Sequence, residues 1–265
     1  MKSPLGLPAE LPVTDLAREA VQLLWYKRTQ VVRMFMPVIA LLALIDWLGG
    51  LYLDNQRPLL QGILLLASVG LSVLFATACH GFTLLPAEQQ QARVLHGWGR
   101  LEFRYFIRAM QIGLIAGVVF GVAMFGLMLV LGGQGDSAIA AAMLALLPAV
   151  YLWGRLSVTL PELAIGRRTS LKRAWAMSRG NGSRLVLVVI VLPLLLTAPF
   201  LLLYWFDQLL LNYLAALGVY ASTLISLVML SLAYRFLLEF YEPAAAVAPA
   251  GEEAPGVSPD HHFDA

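Results

Sequence analysis

Residues 185–206 read LVLVVIVLPLLLTAPFLLLYWF, twenty-two positions without a single charge. A helix needs about 20 mostly apolar residues to cross roughly 30 Å of hydrocarbon. Backbone polar groups left bare in lipid cost several kcal/mol each, so such a run spans as a helix. Working outward, five further segments qualify: 34–53, 59–84, 109–132, 138–160 and 212–235. The predicted fold class is all-α, a polytopic bundle of six transmembrane helices with amphipathic interfacial helices.

The composition agrees. Of 265 residues, 60% are hydrophobic and 13% charged, against about 25% charged in a soluble domain. Disorder is excluded for most of the chain by that hydrophobicity. A net charge of +2 gives no nucleic-acid footprint. The single cysteine, Cys79, excludes an internal disulfide and any multi-cysteine metal site. It reads as a small apolar residue in a helix. No secretory leader pattern precedes the first apolar run near Met34.

The links between spans are unequal. Asp54–Pro58, Gly133–Ser137 and Asp207–Leu211 are short, whereas 86–108 and 161–184 are long and polar. Seventeen of the 18 Lys and Arg residues lie in the N-terminal segment, the long loops or the helix ends facing them. Only Arg57 lies in a short link, and the short links carry Asp54, Asp136 and Asp207. Basic residues mark the cytoplasmic side, so both termini and both long loops are expected inside, in a bacterial inner membrane. The domain division is residues 1–33 as an amphipathic cytoplasmic lead-in, 34–242 as the membrane domain and 243–265 as a disordered cytoplasmic tail. His261 and His262 in that tail read as incidental rather than as metal ligands.

Three amphipathic segments line the basic side. Within 12–33, Leu16, Ala20, Leu23 and Leu24 form a helical stripe, and Thr14 or Asp15 can cap the helix. In the first long loop, Arg100, Arg104 and Arg108 are spaced by four and form a basic ridge beside Trp98, Leu101 and Tyr105. In the second, Thr169 or Ser170 can cap a short helix, Leu171 and Trp175 give it an apolar face, and Gly180 can stop it. Ser183 can then cap the fifth span. That short helix should lie on the membrane and leave Lys172, Arg173 and Arg179 for headgroups or a partner.

Packing is read from small residues, because lipid gives apolar helices no reason to associate. Gly113, Gly117 and Gly121 form one stripe, and Gly218, Ser222 and Ser226 another. Ser68, Ser72 and Ala76 form a third, and Ala141, Ala145 and Ala149 a fourth. These faces can pack within one chain or between copies. The fifth span has no such stripe and is expected at the edge, bent near Pro193 and Pro199. Trp47, Tyr52, Tyr204, Trp205 and Trp153 fall where aromatic belts belong.

Polar residues inside the spans are the candidate site. Asp46 lies within the first apolar run, where a carboxylate costs about 2.5–3.5 kcal/mol. Two readings stand: a proton relay or cation ligand, or a residue that snorkels outward or hydrogen-bonds a Ser or Gln of the second span. His80 continues the Ser68–Ala76 face and reads as a packing residue or a proton carrier. Arg155 and Glu162 share a face on a continuous helix, with Pro161 between them. They pair at an inner cavity, or Arg155 snorkels to headgroups. Phosphate-loop, nucleophile-elbow and zincin motifs are missing from the sequence, so the chain is expected to be non-enzymatic with no cofactor.

Leu160-Pro161, Ala164, Ser170-Leu171, Ala174-Trp175, Arg179-Gly180-Asn181 and Arg184, entering a new span, resemble a signature of six-helix bacterial inner-membrane proteins. That group includes the YciC-like proteins and the membrane domain fused to some glycerophosphodiester phosphodiesterases. The resemblance covers roughly residues 12–240 and implies the six-span layout, but it transfers no site residue, and the fused catalytic domain has no counterpart here. Leu84-Leu85-Pro86 and Thr159-Leu160-Pro161 suggest a repeat of about 75 residues. Gly180, Ile190, Leu192 and Pro193 also resemble part of the loop by which ABC importer permeases engage their ATPase. Leu185–Val191, however, is apolar where that loop is polar.

The functional expectation is a protein that organises or supports membrane components through a basic cytoplasmic face. Its expected partners are anionic lipid headgroups, and a membrane protein or a second copy of the chain beyond them. The alternative is a transporter or permease subunit with a path lined by Asp46, His80 and Arg155.

Overall fold

A computed structural model describes residues 10–51, 58–86, 88–89, 97–132, 134–206 and 208–241. Asp54, Arg57, Arg93, Asp207, Tyr52 and the tail 243–265 lie outside the described residues. Those described form helices and turns, with no strand among them. Six stretches are long and apolar enough to cross a membrane: Arg28–Gly50, Pro58–Leu84, Arg100–Leu131, Asp136–Ala164, Gly182–Phe206 and Leu209–Tyr241. The chain is therefore an all-α membrane bundle.

The helices are α1 (Val13–Tyr26), α2 (Arg28–Leu51), α3 (Pro58–Leu84), α4 (Arg100–Leu131), α5 (Asp136–Leu156), α6 (Thr159–Ala164) and α7 (Leu171–Met177). They are followed by α8 (Gly182–Val186), α9 (Leu192–Leu201) and α10 (Leu209–Tyr241). Six crossings bring α1 and the end of α10 to the same side, the basic end.

Several boundaries move from the sequence reading. The first spanning helix begins at Arg28 rather than Met34, separated from α1 by Lys27 alone. No side chain caps α1, so neither Thr14 nor Asp15 has that role. Residues 100–108 are the start of α4 rather than part of a loop. At 32 residues, α4 is about 48 Å long against roughly 30 Å of hydrocarbon, so its basic turns project beyond the apolar layer. The fourth span breaks at Ser157–Val158 and resumes as α6. Pro161 explains the break: it has no N–H for the Ser157 carbonyl, which accepts instead from Leu160 N at 2.9 Å.

The core is built on α10, whose buried face runs from Ala215 to Leu238. Around it gather Phe35, Ile39 and Leu42 of α2 and Phe75 and Phe82 of α3. Phe35 meets both α3 rings edge-on, at 5.9 and 5.5 Å between centres, the favoured aromatic geometry.

The small-residue stripes divide into packed and bare. Ala141, Ala145 and Ala149 are buried. A Cβ on Gly218 would overlap the Phe200 ring, so this glycine lets α9 and α10 touch. Ser222 is buried there, donating to the Leu196 carbonyl at 3.2 Å. Ser226 is half-buried and donates back to Ser222 O at 2.8 Å. Gly113 faces Trp153, but Gly117 and Gly121 are exposed, and a Cβ on either would meet no described atom within 4 Å. Neither glycine packs a described helix within this chain, which leaves packing between copies as the remaining reading of that stripe. Ala116 is the last buried residue of α4, and the glycine face lies about 100° round the helix from it.

The fifth span has exposed leucines, including Leu194, Leu195 and Leu202, as its composition suggested. Its first turns are nevertheless buried at Leu185 and Val188. A π-helical turn, Leu187–Val191, precedes Pro193 and relieves the hydrogen bond that proline cannot make.

Candidate functional site at the basic end

Asp46 sits toward the other end of the bundle. It accepts from Ser68 Oγ at 3.1 Å and from the Tyr220 hydroxyl. Beside it, Trp47 Nε1 donates to the Leu209 carbonyl at 2.9 Å. This polar seam joins α2, α3 and α10, and an exposed carboxylate within hydrogen-bonding reach of two hydroxyls has an interhelical partner rather than a bare charge.

His80 is fully buried. Ser231 Oγ donates to the Leu227 carbonyl at 2.8 Å, so it accepts from His80 Nδ1 at 2.7 Å. Nε2 then accepts from the Tyr105 hydroxyl at 3.2 Å. One imidazole thereby links α3, α4 and α10 with both ring nitrogens satisfied.

Arg155 and Glu162 do not pair. Arg155 is 6% exposed, donates through Nε to Ser178 Oγ at 2.8 Å and through a terminal nitrogen to the Trp175 carbonyl. Its guanidinium stacks 3.4 Å from the Trp175 ring centre, with Tyr151 on another side. A desolvated cation–π contact contributes about 2 kcal/mol. Arg155 is therefore neither snorkelling nor lining a cavity with Glu162: it clasps α7 against α5. Glu162, 1% exposed, accepts from Arg173 Nε at 2.8 Å, and Arg173 lies over the Tyr241 ring. Arg173 is thus held by α6 and α10 rather than presented to headgroups.

The short helix α7 is capped by Ser170, whose Oγ accepts from Arg173 N at 3.1 Å. Gly180 follows with φ +83°, the left-handed conformation that favours glycine. The buried side of α7 is Ala174 and Met177, so that face rests on protein, while Leu171 is partly buried and Trp175 stays exposed with Arg155 stacked on it. Ser183 does not cap the fifth span, because α8 starts one residue earlier behind Asn181.

Asn181 instead accepts the Leu11 N–H at 2.8 Å. Arg184 donates to the Leu11 carbonyl at 2.9 Å and pairs with Glu10. Arg235 pairs with Glu19 at 2.6 Å. These bonds seat the Leu16–Ala20 stripe of α1 in the core, so the lead-in helix is fastened to the bundle.

Arg100, Arg104, Arg168, Lys172 and Arg179 remain exposed, and Arg108 is half-buried, donating to the Thr169 carbonyl at 3.3 Å. Arg167 and Arg168 were not singled out from the sequence, although Ile165-Gly166-Arg167-Arg168 holds the signal. Gly166, at φ +85°, closes α6 by a double turn, with Gly166 N bonded to Leu163 O and Arg167 N to Glu162 O. That closure delivers the basic pair beside α4.

Comparison with protein-family models, with curated proteins and with solved structures returns no match to this chain.

Proposed function

We propose that the chain is a non-enzymatic, multi-pass protein of the bacterial inner membrane, both termini cytoplasmic, that organises or supports membrane components through its basic face. The observation carrying this reading is a division among the basic residues. Arg155, Arg173, Arg184 and Arg235 brace α1, α6 and α7 against the spans. Arg100, Arg104, Arg168, Lys172 and Arg179 stay exposed on the surface so braced. A rigid basic platform at the membrane surface attracts anionic lipid at about 1 kcal/mol per well-placed residue. The concentration of positive charge at one end supports the cytoplasmic orientation, and the six-helix layout is in keeping with kinship to the YciC-like proteins.

The transporter reading needs a continuous path through Asp46, His80 and Arg155. Those side chains belong to three separate hydrogen-bonded sets, which lend it no support.

The test is lipid competition. Protein in mild detergent is offered equimolar anionic and zwitterionic phospholipid, and bound lipid is counted by native mass spectrometry. Enrichment of anionic lipid by roughly five-fold or more is expected. Equal occupancy would remove the basis of the proposal.

A further inference from the structure

A groove of about 540 Å³ opens between the first turns of α4 and the α6–α7 connection. Arg104 and Arg108 form one wall, and Arg167 and Arg168 stand opposite. Among the described residues, no acidic side chain lines it. Arg104 and Arg108 are one helical turn apart on the same face. Arg108 also ties the walls together through the Thr169 carbonyl, and the Thr169 hydroxyl has no partner among the described residues. Arg167 is directed toward the Tyr234 hydroxyl of α10, which leaves Arg104, Arg108 and Arg168 along the groove with no acidic side chain between them, and a phosphate, which accepts paired N–H bonds from a guanidinium fork, supplies that counter-charge.

Apolar side chains line the groove as well: Phe103 and Ile107 beside the α4 arginines, and Leu163 of α6. Phe103 and Ile107 continue down α4 as an exposed stripe through Met110, Leu114 and Val118. The stripe leads from the arginines into the part of α4 that crosses the hydrocarbon. A soluble phosphate has no use for such a track, whereas an acyl chain does.

We infer that this groove binds the phosphodiester headgroup of an anionic membrane lipid, with an acyl chain laid along Phe103, Ile107 and the stripe below. The inference rests on the basic-face reading above and narrows it to one site. It differs from general surface attraction by requiring the groove arginines rather than any equal charge.

The experiment uses full-length protein in detergent, titrated with a phosphatidylglycerol-type lipid and followed by native mass spectrometry. The groove variant is Arg104→Gln with Arg168→Gln. The control is Arg18→Gln with Arg33→Gln, which removes the same charge from α1 and the start of α2, outside the surface assigned to lipid. All four side chains are exposed, and thermal melting verifies that both variants fold. The groove variant should lose about 20-fold in affinity, and the control less than about three-fold. Equal losses in the two variants would overturn the groove site while leaving the basic-face reading standing. No anionic preference in the unaltered protein would overturn both. Glycerophosphate or inorganic phosphate displacing the lipid at equal concentration would overturn the lipid assignment, because the apolar track would then contribute nothing.

Discussion

The guanidinium of Arg155 lies 3.4 Å from the ring centre of Trp175 and bonds to the Trp175 backbone carbonyl as well. One side chain of α5 thus holds both the ring and the backbone of α7. Replacing Arg155 by Met should cost about 2–4 kcal/mol, combining a desolvated cation–π contact with charge-assisted hydrogen bonds. Arg155→Lys should recover less than half, since an ammonium lacks the planar fork. Thermal melting in detergent reads the loss. Faster tryptic cleavage at Lys172 and Arg179 would show that α7 is the part released.

The two glycine stripes should respond oppositely. Gly218→Ala drives a methyl into the Phe200 ring and should destabilise by about 1–3 kcal/mol, the usual range for overpacking. Gly117→Ala and Gly121→Ala meet open space and should be neutral or slightly stabilising, because alanine favours helix. A melting-temperature series on the three variants settles the contrast, and a drop at Gly117 or Gly121 would indicate a second copy packed there.

At the far end, Asp46 and Tyr220 should be energetically coupled. Asp46→Asn keeps an acceptor for one hydroxyl and turns an amide donor toward the other, whose oxygen can accept it, and should leave the fold intact. Asp46→Leu should cost about 1–2 kcal/mol by orphaning Tyr220, and the same change on a Tyr220→Phe background should cost less. A double-mutant cycle without coupling would dissolve the seam.

The lead-in helix should come loose when its strap is cut. Asn181→Leu leaves the Leu11 N–H without a partner and should cost about 1–2 kcal/mol. The readout is hydrogen exchange, with Leu16 and Ala20 losing protection while the α10 core does not.

Much of the architecture was legible without tertiary structure. Six apolar runs, the basic end, the Ser170 cap, the Gly180 stop and the buried alanine stripe of α5 all follow from local composition and periodicity. Such features depend on a few neighbouring residues, so the chain states them directly. The candidate site was only half legible. Arg104 and Arg108 were visible as a ridge, but their opposite wall, Arg167 and Arg168, comes from a turn whose direction depends on Gly166 and the packing of α6.

What the sequence by itself determined is that this chain is a helical membrane bundle with an asymmetric charge. Tertiary structure alone decided which arginines are braces and which are exposed, which glycines are packed, and what Asp46 meets. The reason is physical. To an apolar helix face, lipid and protein interior are equally apolar, so hydropathy marks a face as buried from water without saying which neighbour covers it. A buried charge, likewise, requires a partner without naming one. Arg155 found an indole and Glu162 found Arg173 because a break at Ser157 and a capped turn at Ser170 brought α7 across the end of the bundle.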